Sequence, residues 1–180
     1  MFLNDVFDRE FDARHRPDRP LPAGDVNVLT AGRIAAALVA IGLILIAGQA
    51  GYARPLAWSG ALVAAILYYN YRHKRDPLGP LWMGVCRGLV YCVAASAVAP
   101  AVSVRVGIAA AAMTLYVIGL TWIAKRLGPR AGVVVPILLA GISGVDAVVV
   151  LVSGGGPALA LLAVAAGVLT LGFQRFVPGT

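Results

Sequence analysis

The stretch IAAALVAIGLILIAGQA, Ile34–Ala50, carries no polar side chain before Gln49. Its apolar residues fall on every face of a helix, and the same holds for ALALLAVAAGVLTL, Ala158–Leu171. Strands of a membrane barrel would alternate apolar and polar residues. These runs therefore predict helices, and crossing the hydrocarbon takes about 20 such residues. The composition agrees: of 180 residues 60% are hydrophobic and 13% charged, with a mean hydropathy of +0.85. A soluble domain is excluded at that balance.

Cut at glycine, proline and charge clusters, the apolar runs give six expected spans at about 28–50, 55–71, 80–100, 105–125, 132–152 and 157–175. The expected fold class is an all-α integral membrane protein, a bundle of about six transmembrane helices. Residues 1–26 form an acidic motif and proline-rich loop, and residues 27–180 form the bundle. Small residues recur in the spans, as in Gly60–Ala65, Ala109–Ala112 and Ala163–Gly167, which favours close helix packing in lipid.

The basic residues alternate between loops. Arg9, Arg14, Arg16 and Arg19 precede the first span, Arg54 stands alone in the first loop, and Arg72, Lys74 and Arg75 share the second. Arg105 is alone in the third loop, Lys125, Arg126 and Arg130 lie in the fourth, residues 153–156 carry no charge, and Arg175 is in the tail. By the positive-inside rule both termini and loops two and four face the cytoplasm of a multi-pass cell-membrane protein. The net charge of +7 is accounted for by these loops, without nucleic acid as a partner. Cys86 and Cys92 lie about 240° apart on one helix and cannot pair with each other. Six acids, Asp5, Asp8, Glu10, Asp12, Asp18 and Asp25, make the first 26 residues unlike a signal peptide.

The segment NDVFDREFD, Asn4–Asp12, places Asp5, Asp8 and Asp12 within an arc of about 60° on a helix. Like charges so close repel unless a cation sits among them, and oxygen ligands suit Mg2+ bridging carboxylates to substrate phosphates. A solvated acidic turn interleaved with Arg9 and Arg14 is the other reading of the same residues. Next comes RPDRPLPAG, Arg16–Gly24, in which the prolines predict a stiff extended turn and no helix. His15 and His73 have no second ligand at metal spacing, so zinc is not expected.

The acidic motif followed by this proline loop, directly before an apolar span, resembles the first acidic motif and adjoining loop of the UbiA-type membrane prenyltransferases. A second segment, YYNYRHKR at Tyr68–Arg75, is similar to the family's Tyr-x-x-x-Lys-Arg segment. The run GPLWMGVCR at Gly79–Arg87 looks closest to an EboC-like branch. The resemblance implies a partial UbiA-type fold and Mg2+-dependent transfer of an isoprenyl group from a prenyl diphosphate to a lipophilic acceptor. It makes Asp5, Asp8 and Asp12 metal ligands, and Asn4, Lys74, Arg75 and Arg87 contacts of the diphosphate. Lys125 and Arg126 would add cations, and Tyr68, Tyr69 and Tyr71 either flank an allylic cation or form an interfacial belt.

Arg87 lies about two turns inside its span, where an arginine is costly enough to be a functional candidate. Asp146 lies too far from the acidic cluster to join it, and is expected to pair with Ser143 or a neighbouring helix. Two departures from the family pattern stand out. Met1 is only three residues before the motif, so the chain looks like one lacking two upstream spans. The later loop TWIAKRLGPR, Thr121–Arg130, contains no acid where the family carries a second aspartate-rich motif. A non-catalytic or degenerate membrane protein binding an isoprenoid or lipid diphosphate is therefore the alternative. A transporter would show paired broken helices, and none is evident.

Overall fold

The computed structural model describes residues 2–48, 51, 53–72, 76–99, 101–127 and 131–173. Eight helices make up the described chain: α1 Phe2–His15, α2 Pro20–Ala23, α3 Val28–Ala47, α4 Ala53–Arg72, α5 Gly79–Val98, α6 Val104–Leu127, α7 Ala131–Val152 and α8 Pro157–Phe173. The six apolar runs are thus six helices, α3 to α8. Four of them, α3, α5, α6 and residues Val134–Val152 of α7, are long and apolar enough to cross a membrane on length and composition. In α4 the aromatic and polar residues near its end lower the hydropathy, and α8 has 17 residues.

The helices run up and down. α5 packs on α4 and on α6, α7 packs on α8, and α1 lies across α3 and α4. Large apolar side chains such as Leu38, Ile44, Leu161 and Leu162 remain exposed, as lipid-facing residues of a membrane bundle do. The tightest seam is between α5 and α6. Gly84 and Gly88, one turn apart, let α6 approach so closely that a Cβ at Gly84 would lie 2.6 Å from the Thr114 carbonyl and one at Gly88 2.9 Å from that of Ala110. Between α6 and α7 the Tyr116 hydroxyl donates to the Leu138 carbonyl at 2.8 Å.

One expectation is corrected. Arg16–Gly24 is not wholly extended, because Pro20–Ala23 forms a single helical turn closed by Gly24 in the left-handed region (φ 87°). Proline is excluded from helix interiors for want of an N–H and because its ring clashes with the preceding turn. In a first turn neither matters, and Pro20 and Pro22 both lie there. Cys86 and Cys92 are free, as expected.

Candidate functional site

α1 is a polar helix with one inward face. Asp8 and Asp12 are buried, at 7% and 3% exposure, whereas Arg9, Glu10, Ala13 and Arg14 are exposed. Asp5 is half-buried on the same face. Two carboxylates held away from water need compensation. Asp12 receives it from Arg19, whose Nη1 donates to Oδ2 at 2.8 Å. The turn between them is fixed by Arg16 N donating to the Asp12 carbonyl (2.7 Å) and Arg19 N to that of Arg16 (3.2 Å). The proline loop thus folds back onto the acidic motif.

α4 supplies the opposite wall. Asn4 Nδ2 donates to Asn70 Oδ1 at 3.1 Å, and Asn70 Nδ2 donates in turn to the Ile66 carbonyl at 2.7 Å. Asn4 is therefore engaged with α4. Tyr69 lies within electrostatic reach of Asp8 of α1 and Cys86 of α5. The three tyrosines differ in surroundings: Tyr69 is near Asp8, Tyr68 packs on Trp82 with ring centroids 4.4 Å apart, and Tyr71 is 73% exposed.

Arg87 follows Cys86 directly. It is exposed on α5, eight residues from the start of the helix at Gly79. Cys86 lies within electrostatic reach of Tyr69 of α4, and Tyr91, one turn beyond Arg87, donates its hydroxyl to Asp146 Oδ1 of α7. The α5 face that carries Arg87 lies between these two contacts. Asp146 has taken the neighbouring-helix partner of the two expected. The α6 end lies beside the α5 start, where Thr121 Oγ1 meets the Met83 sulfur at 3.5 Å. Lys125 and Arg126 consequently stand at the α1 end of the bundle, with Arg126 stacked 3.6 Å over the Trp122 ring.

Lys74 and Arg75, like His73, Arg130 and Arg175, lie outside the described residues. His15 closes α1 by stacking on Phe11 at 4.1 Å. Among the described residues no three His, Cys, Asp or Glu side chains come together as a group that would hold a metal ion alone. A hard divalent cation needs fewer: it is commonly held by one or two carboxylates, with water and substrate phosphate filling its other positions. Asp8 and Asp12 fit that donor set. Sequence reasoning passed over Asn70, Arg19 as the partner of Asp12, and Arg33, a charge inside the first expected span.

The comparisons bear on the whole chain. Residues 1–178 match the model of the UbiA prenyltransferase family. The chain is similar to digeranylgeranylglyceryl phosphate synthases: 36% identical over 80 residues to that of Sulfolobus acidocaldarius, covering 43% of this chain and 26% of that protein. It is 42% identical over 66 residues to that of Metallosphaera sedula, covering 37% of this chain and 23% of that protein. It is 34% identical over 90 residues to that of Methanoculleus marisnigri, covering 49% and 32%. These matches thus span about a quarter to a third of the relatives' length. No solved structure matches. With apolar helices from α3 to α8 and a family match over nearly its full length, this chain is an integral membrane protein of the UbiA prenyltransferase family.

Proposed function

We propose that the chain takes part in transferring an isoprenyl group from a prenyl diphosphate to a lipophilic acceptor, with the diphosphate at the α1 end of the bundle, on the cytoplasmic side. The observation that carries this reading is the inward acidic face of α1, with Asp8 and Asp12 buried against a bundle end that also holds Lys125 and Arg126. Asp8, Asp12 and Asp5 would hold Mg2+, which when bound offsets the charge of departing pyrophosphate. Arg87, with Lys74 and Arg75, would take the remaining phosphate charge, as guanidinium groups do through paired hydrogen bonds. Asn4 and Asn70 keep α1 in register on α4, and Tyr69 presents a ring beside the acids. The exposed apolar faces accommodate the isoprenoid tail. The branch is proposed as EboC-like on Gly79–Arg87 alone.

One observation favours the alternative of diphosphate-lipid binding without turnover: Arg19 already occupies one oxygen of Asp12. Both readings are tested in nanodiscs containing the purified chain. Mg2+-dependent binding of farnesyl diphosphate should weaken at least about tenfold, or about 1.4 kcal/mol, in Asp8→Ala. Transfer of a labelled prenyl group to a panel of lipophilic acceptors then separates the two. Binding without transfer to any acceptor supports the second reading, and unchanged binding in Asp8→Ala removes both.

A further inference from the structure

We propose that a groove between α1, α2 and the first half of α3 binds the phosphate headgroup of an anionic membrane phospholipid. The groove is broadly open, with a volume of about 810 Å³, and among its lining residues are Arg9 of α1 and Arg33 of α3, with Val6, Leu21, Leu29 and Ala36 as apolar wall. Among the described residues no carboxylate lines it. It lies beside the acidic face of α1 and apart from it.

Arg33 is the decisive residue. It sits five residues into a helix long and apolar enough to cross a membrane, about 8 Å along the axis. A guanidinium at that depth is costly without a counter-charge. Among the described residues the salt bridge of Arg19 with Asp12 is the one ion pair, and neither Arg9 nor Arg33 has a carboxylate partner. Two guanidinium groups on different helices therefore share an apolar-walled groove with no anion from the chain. Arginine binds phosphate oxygens through a planar fork of donors, so a phosphate bridging the two would satisfy both.

The occupant is a lipid because the wall continues into the membrane. Leu29, Arg33, Ala36, Ala40 and Ile44 follow one another at spacings of three and four, which keeps them on one strip of α3, and all five are exposed. A headgroup at Arg9 and Arg33 would leave its acyl chain lying along Ala36, Ala40 and Ile44. Such a lipid would also tie α1 to α3 and so hold the helix that carries the acids.

Native mass spectrometry of the chain, released from micelles loaded with phosphatidic acid, diacylglycerol or phosphatidylcholine, tests this. Phosphatidic acid should be retained over the other two, and the Arg9→Gln/Arg33→Gln variant should retain it at least about tenfold less. Arg54→Gln, at the far end of α4, should behave as the parent chain. Arg9→Lys/Arg33→Lys keeps the charge, so it should retain most of the lipid, and circular dichroism checks that each variant keeps its helices. Equal retention in the double Gln variant overturns the proposal, as does equal retention of diacylglycerol. Displacement by soluble glycerol phosphate would make the site one for free phosphate compounds. Displacement by farnesyl diphosphate would assign the groove to the prenyl donor.

Discussion

Tyr91 of α5 donates its hydroxyl to Asp146 of α7, 55 residues away, and so links two helices inside the apolar body of the bundle. Neither group would be well placed alone there, since an unpartnered polar atom among apolar helices forfeits its hydrogen bond and gains no water. Tyr91→Phe should lower stability by about 1–3 kcal/mol. Combined with Asp146→Leu, the loss should fall short of the two single losses added by at least about 0.5 kcal/mol. Unfolding titrations of the four proteins in one detergent measure it, and strict additivity would show that the bond contributes nothing.

Arg19→Ala removes the partner of a carboxylate that is 3% exposed. Stability should drop by about 1.5–3 kcal/mol, the range for hydrogen bonds to charged groups. Asp12→Asn in the same background should recover part of it, because the buried charge is then gone. A thermal melt of each protein in identical micelles decides, and no recovery would mean that Arg19 acts through packing.

At the α5–α6 seam, Gly88→Leu forces a side chain into space held by the Ala110 carbonyl, 2.9 Å from the Cβ position. Overpacking of this kind costs about 1–3 kcal/mol. Gly60→Ala, where a Cβ meets nothing within 4 Å, should be neutral or slightly stabilising. Reversal of that order would place the close contact elsewhere.

The alternating charges predict the sidedness. With Cys86 and Cys92 replaced, a cysteine at Arg14 and one at Gly156, where a side chain meets nothing, should react with a membrane-impermeant reagent from opposite faces. Reaction of both from the cytoplasmic face would break the six-crossing arrangement.

The six long helices were legible because their signal is long and redundant: each apolar run is bounded by charge, glycine or proline. That Asp5, Asp8 and Asp12 share one face of α1 was legible too, since three- and four-residue spacing alone puts them together, but spacing does not say whether that face turns inward. What escaped depends on partners distant in sequence. Nothing local announces that Asn70 will receive a bond from Asn4, or that Arg19 will return to Asp12. Arg33 escaped for another reason: the run beginning at Ile34 is so apolar that the charge before it was absorbed into the span. The helical turn at Pro20–Ala23 is hidden in proline content, because proline breaks a helix in its interior and not in its first turn.

Asn4 joins Asn70 and Tyr69 stands near Asp8, so the acidic helix meets α4 within the first half of the chain. Synthesis proceeds from the N-terminus, and chains fold unit by unit as they emerge. Once α5 has left the ribosome, α2, α3 and α4, on which α1 packs, have been made, while α6 to α8 are still to come. Insertion of the later helices then brings Lys125 and Arg126 of α6 to an acidic face that is already packed.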